Sequence, residues 1–414
     1  MHTAIILVCF AALAASASAG AQTPVEIQKM YGPGTVSEGY GTAVAIAGNE
    51  NQLLVGTPYE SLGGTVFAYD RNSQGTFASI QTLSASDASV CAEFGAAVAI
   101  SGTTAVVGSP TWPGACPFGS LGKVYVFTYA NGTWTETASF VASDATGGAH
   151  FGASVAIDGS TIVVGAPYTS NDPGAAYVFD RGVSGTWTQT QKLVSDASSN
   201  QDMFGQSVAI AGNKLVVGMA HAYPSGPGSI NFFSRSGSVW SFSQRFDGNG
   251  SYYDSLGAAV AMVGSTTAVG VPGADVGTNA HQGAVKVLRY ANNAWNNNQL
   301  LTITGGAAGD AFGTSVALNS GGSAGPTLIA GAPTAQPSGL QAQGAAYFFF
   351  DTGTLFSLGG RLTSNPTGAN YRFGGVVGVA TGFTTQLPLY PTYFVNAQGA
   401  PNGNGANGAV FVFH

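Results

Sequence analysis

Charge is what this sequence has least of. Asp, Glu, Lys and Arg make up 7% of its 414 residues, where about 25% is usual. Twelve basic residues, dispersed along the chain with a net charge of −7, leave no footprint for nucleic acid. Low charge combined with low hydrophobicity would mean disorder. The 45% hydrophobic content, rich in Val, Ile, Phe and Tyr, excludes that. Helical signal is also missing, because no apolar run with a 3.6-residue period occurs beyond the N-terminus. Beyond that point no apolar stretch is long enough to cross a membrane. What remains is a chain of strands covered on both faces by neighbours, with 61 glycines to turn them.

Residues 1–21 read as a secretory leader. Ala4 to Ala15 is apolar but too short for a bilayer span, and small residues follow with cleavage patterns ending at Ala19 or Ala21. The basic segment ahead of it is weak, only the α-amine and His2, so the cut is open between those two positions. Cys9 follows Val8 rather than a small residue, which argues against a lipid anchor. The expectation is a secreted, extracellular or periplasmic protein, a monomer whose residues 22–414 form one domain.

Internal periodicity decides the architecture. An aromatic-Gly pair recurs at Tyr40-Gly41, Phe94-Gly95, Phe151-Gly152, Phe204-Gly205, Leu256-Gly257 (with Leu for the aromatic), Phe312-Gly313 and Phe373-Gly374, at spacings of 54, 57, 53, 52, 56 and 61 residues. After each pair comes a short strand, a tight turn such as Asp158-Gly159, and a returning strand such as Thr161 to Val164. A Gly-x-Pro stop ends the second strand at Pro58, Pro110, Pro167, Pro272 and Pro333; Pro has no N–H for a ladder. The fourth copy degrades to Gly218-Met219-Ala220, and the seventh has lost the motif. A third strand follows Gly, as in Gly174 to Phe179, and a polar fourth, as in Thr186 to Leu193. The first strands are small and apolar, suiting a crowded axis, and the fourth look solvated.

Seven repeats of four antiparallel strands predict an all-β, seven-bladed β-propeller. The competing right-handed β-helix would repeat at shorter periods. The chain ends just after a third-type strand, Ala409 to Phe413, and Val25 to Met30 resembles the fourth strands. The N-terminal strand is therefore expected to pair with Ala409 to Phe413 and close the last blade.

The aromatic-Gly and Gly-Ala-Pro pattern resembles the FG-GAP repeat of integrin α-subunit propellers and their bacterial secreted relatives, over nearly all of 22–414. Members of that family often carry an Asp-x-Asp-x-Asp-Gly calcium loop between the first two strands. Here those loops are tight turns such as Ser101-Gly102 and Val263-Gly264, and the longest, Asn319 to Pro326, has no carboxylate. No calcium and no other cofactor is expected. The resemblance implies a ligand-binding face where the loops after the second and fourth strands meet. Tyr59, Trp112, Tyr168 and Tyr223 follow the second strands of four consecutive blades there and are the candidate ligand-binding residues. Their plainer role is packing against their own loops.

Other recurrences carry weaker meaning. Ser-Asp-Ala at Asp87, Asp144 and Asp196, and acids two before the aromatic-Gly pair at Glu38, Asp202, Asp254 and Asp310, fit either a carboxylate ring for a cation or local loop bonding, the latter being the commoner use. His150, His221 and His281 have no metal-ligand spacing. Asn131 and Asn249 begin sequons that matter only in a eukaryotic secretory pathway. Loss of the leader leaves Cys91 and Cys116, in two loops on one rim of blade two, and an oxidising compartment favours their disulfide. No catalytic residue set stands out: there is no Gly-x-Ser-x-Gly elbow, zinc-protease helix or phosphate loop. The expectation is a binding or adhesion module for an extracellular protein or glycan, with neither nucleic acid nor membrane insertion. The alternative is a propeller enzyme, a lyase or glycoside hydrolase acting on polysaccharide.

Overall fold

The computed structural model describes residues 24–32, 39–48, 51–60, 63–113, 120–168, 174–195, 203–220, 226–248, 254–321, 325–380, 391–401 and 407–414. Seven four-stranded antiparallel sheets form the blades of a β-propeller. Six blades use consecutive strands, at 43–83, 97–140, 154–193, 204–247, 260–301 and 315–362. The seventh takes Phe373–Ala380, Thr392–Pro401 and Asn407–Phe413, and its outer strand is Glu26–Met30 from the other end of the chain. That strand pairs Glu26 with Phe413 and Met30 with Val410, and Val25 and His414 exchange backbone hydrogen bonds of 3.0 Å. The closure expected from the sequence is present.

Blades join through apolar contact. Seven buried clusters occur, one at each blade–blade contact; the cluster between the last and first blades joins Phe394, Val410 and Val412 to Leu53, Val55 and Phe77. In blades one, two, three, five and six the second strand is buried along its length, as in Thr161–Ala166. The innermost strands are less crowded than expected: residues such as Ala97–Ser101 and Val260–Val263 are all partly exposed, so they line an opening that solvent reaches.

The repeat signature has two mechanical roles. The aromatic-Gly pair forms the centre of a β-turn: the carbonyl of the residue before the aromatic accepts from the N–H three positions on in all seven copies, for example His150 to Ala153 at 3.0 Å. A turn with positive φ at its third residue needs Gly there, and Gly152 has φ 96°. The buried aromatic then packs edge-on against its own third strand; Phe151 meets Tyr177 at 5.5 Å. The glycine of the second strand answers to close approach. A Cβ on Gly165 would lie 1.9 Å from the Gly205 carbonyl oxygen of the next blade, and one on Gly331 would lie 1.8 Å from that of Gly374. In blade seven Asn396 holds that position, and its Nδ2 donates to the carbonyls of Tyr40 (3.2 Å) and Gly41 (2.7 Å) in blade one. The motif lost from the seventh copy is thus replaced by a side-chain clasp.

A second set of links lies at the outer edge. Every outer strand carries a β-bulge against its third strand. In five blades the residue after the bulge is Gln, whose carboxamide pairs with the backbone N–H and C=O of the aromatic that opens the next outer strand. Gln28 meets Phe77, Gln81 meets Trp134, Gln191 meets Trp240, Gln244 meets Trp295, and Gln299 meets Phe356. The matching positions in blades two and six are Ala138 and Gly360.

Candidate functional site

The loops after the second and fourth strands share one rim, as antiparallel blades require. Tyr59 follows the second strand of blade one and is 59% exposed. Tyr168 holds the same place in blade three at 49% exposure. Trp112, in blade two between them, is half-buried. The fourth candidate, Tyr223, lies outside the described residues, as does His221.

The residue ahead of each aromatic-Gly pair belongs to the same rim and is left-handed in all seven blades. Gly39, Glu93, His150, Met203, Ser255, Ala311 and Arg372 have φ between 51° and 79°. For six non-glycine residues this is an uncommon conformation. The turn imposes it, and the side chain is left free to vary. Glu93 and His150 stand between the candidate aromatics of blades one, two and three. Burial raises the Glu93 carboxyl above its usual value. Burial, then the Glu93 charge, raises the Tyr59 phenol. The His150 ring meets that of Tyr168 edge-on at 4.9 Å, and burial lowers the His150 imidazole. Neither role had a signal in the sequence beyond variation at one repeat position.

The recurrent aspartates do more than bond their own turns. Asp87 reaches the next blade, where it accepts from Lys123 Nζ at 2.7 Å and the Tyr125 hydroxyl at 2.6 Å. Burial pushes its carboxyl up, but the hydrogen bonds from Lys123 and Tyr125 and the Lys123 charge more than offset this, and the net shift is downward. Asp144 repeats the pattern with Lys192 at 2.7 Å and Tyr177. Lys123 also lies over the Trp112 ring at 4.6 Å. The third Ser-Asp-Ala aspartate, Asp196, and the acids Glu38 and Asp202 lie outside the described residues. Asp254 and Asp310 are buried, at 7% and 8% exposure, and their carboxyls are raised. For Asp254 burial is the main cause and repulsion from Asp275 adds to it, against attraction from His281, and its Oδ1 has no hydrogen-bond partner. His281 itself is exposed, and its backbone N–H donates to Asp275 Oδ1 at 2.9 Å.

Among the described residues no three His, Cys, Asp or Glu side chains are grouped so as to hold a metal ion. The innermost strands carry one charge among their described residues, Asp158, whose Oδ2 accepts from the Gly212 N–H at 2.6 Å. Cys91 sits on the rim with φ 65°, and its expected partner Cys116 lies outside the described residues. Asn131 occupies an exposed hairpin turn, whereas Asn249 lies outside the described residues.

No curated protein matches the chain. The FG-GAP repeat family matches residues 77–127, 134–179, 187–233 and 295–349. Each matched stretch starts at an aromatic that opens an outer strand and ends in the third strand of the next blade, so it spans one blade–blade contact. Four matched repeats within a ring of seven four-stranded blades make this chain an FG-GAP-repeat β-propeller.

Proposed function

We propose that the chain is an exported binding or adhesion module that takes an extracellular protein or glycan on the rim carrying Tyr59, Trp112 and Tyr168, and that it works as a monomer. The observation that carries this reading is the exposure of Tyr59 and Tyr168 on one rim, flanking Trp112. FG-GAP propellers are often binding or adhesion modules, which supports the same reading. Fold alone does not assign function; the exposed aromatic rim is the feature of this chain that supports one. The scarcity of charge on the innermost strands favours binding over catalysis in the central opening. Residues 1–21 would deliver the chain through a secretory pathway and be removed.

One observation favours the alternative, a polysaccharide lyase or glycoside hydrolase. Asp254, buried and raised, stands near Asp275 and His281. Parallel glycan and protein arrays probed with residues 22–414 test the binding reading, with the same polysaccharides assayed for new reducing ends or unsaturated products. Array hits with intact polysaccharide support it. Released products, lost on Asp254→Asn substitution, would replace it with the enzyme.

A further inference from the structure

Resting on the binding-module reading above, we infer that the rim of blades one to three is a row of subsites for a neutral glycan, with Tyr59, Trp112 and Tyr168 as ring platforms and Glu93 and His150 as the hydrogen-bonding groups between them. Chain order around the ring sets the alternation. Tyr59 belongs to blade one, Glu93 to the link into blade two, Trp112 to blade two, His150 to the link into blade three, and Tyr168 to blade three. Neighbours in this row interact: the His150 ring meets that of Tyr168 edge-on at 4.9 Å, and the Glu93 charge adds to burial in raising the Tyr59 phenol.

At blades five and six the combination breaks down. Ser255 and Ala311 occupy the Glu93 position at blades five and six, where the second strands are followed by Gly273-Ala274 and Thr334-Ala335 rather than by an aromatic. Platforms and hydrogen-bonding side chains thus occur together at blades one to three and not at blades five and six. The left-handed backbone is common to all seven positions, so the turn does not explain which side chains stand there.

The chemistry of the row selects the ligand class. An aromatic face carries partial negative charge and accepts the weakly positive C–H face of a sugar, while a carboxyl and an imidazole beside it bond hydroxyl groups as donor or acceptor. The cation nearest the row is already neutralised, since Lys123 is held by Asp87 at 2.7 Å and lies over Trp112. Burial pushes the Glu93 carboxyl and the His150 imidazole each toward its neutral form. Among the described residues of this row an anionic ligand finds no free cation. A protein partner would need an apolar, well-packed anchor patch. On this stretch the only strongly exposed aliphatic side chain among the described residues is Val90.

Affinity electrophoresis of residues 22–414 in gels containing laminarin, mannan, galactan or soluble starch tests the assignment, with alginate as the polyanionic comparison. Retardation is expected in at least one neutral polysaccharide and not in alginate. Tyr59→Ala and Tyr168→Ala should each weaken it about five- to tenfold. Tyr59→Phe keeps the ring and should bind as the wild type does, and Glu93→Gln should weaken binding by a smaller factor. Val239→Ser, on the outer strand of blade four, should change nothing. Unaltered melting curves confirm that each variant is folded. Retardation that survives both Tyr→Ala changes overturns the row. Rim-dependent binding to a protein array with no neutral polysaccharide bound overturns the glycan assignment and leaves the binding module standing. Cleavage of the polysaccharide, or no ligand on either array, overturns the binding module and the row with it.

Discussion

Gln28 and Phe77 exchange two hydrogen bonds of 2.7 Å across the seam where the last blade meets the first. The carboxamide of Gln28 donates to the Phe77 carbonyl and accepts from its N–H. Gln28 reached this position from the N-terminus, yet it does what Gln81, Gln191, Gln244 and Gln299 do inside the chain. The seam is thus a blade–blade contact like the others, with Asn396 added as an inner clasp.

Gln28→Ala should destabilise the protein by about 1–3 kcal/mol, the net value of two hydrogen bonds. Ala138→Gln should do the reverse by about 1 kcal/mol, because Ala138 occupies the Gln position facing Trp187 in the neighbouring blade. Urea unfolding measures both. A neutral Gln28→Ala would show that the seam is held by its apolar cluster alone.

How far the sequence disclosed this arrangement depends on the range of each interaction. Blade number, strand order and the closing strand were readable because the aromatic-Gly pair and the strand-ending Pro leave local marks at near-constant spacing. The Gln links were not, since pairs such as Gln81 and Trp134 lie in separate blades and the bulge that aims the Gln has no local residue signature. Asn396 looked like a lost motif because its partner carbonyls stand more than 350 positions away. On the rim, the aromatics were visible as repeat positions. The pairing of His150 with Tyr168 and of Lys123 with Asp87 joins different loops and emerged only from the fold.

The inter-blade glycines allow a sharper contrast. Gly331→Ala would place Cβ 1.8 Å from the Gly374 carbonyl oxygen, a backbone atom that no side-chain rotation can move. Its cost should exceed about 3 kcal/mol. Asn396→Ala removes two hydrogen bonds without a clash and should cost about 1–3 kcal/mol. Denaturant midpoints with unchanged slopes would establish that order. Equal effects would contradict the close-approach account of the second-strand glycine.

Asp254 should make stability depend on pH in a definite direction. Its folded carboxyl lies above the usual 3.8. A raised group contributes its stability fully below the unfolded value and loses it as pH rises through the folded value. At neutral pH the buried charge with its unpartnered Oδ1 is therefore a penalty. Asp254→Asn should melt higher than the wild type at pH 7, with the gap closing as pH falls toward 3.8. A gap that widens on acidification would contradict this.

Mass spectrometry of unreduced peptides from exported protein should show Cys91 joined to Cys116. The bridge would close a ring of about 26 residues, adding a few kcal/mol on the chain-entropy view. Its main effect should be local: reduction should speed proteolysis between Pro110 and Gly122 more than it lowers the melting temperature. Free thiols at both positions would refute the pairing.

The claim that matters most is that this propeller recognises its ligand on the rim of blades one to three. The most direct measurement repeats the glycan and protein arrays with two folded variants in parallel. One is Tyr59→Ala with Tyr168→Ala on the rim; the other is Val239→Ser with Phe242→Ser on the exposed outer strand of blade four. Hits obtained with the wild type should vanish for the rim variant and persist for the outer-strand variant. The same hits on the rim variant, or their loss on the outer-strand variant alone, would contradict that claim.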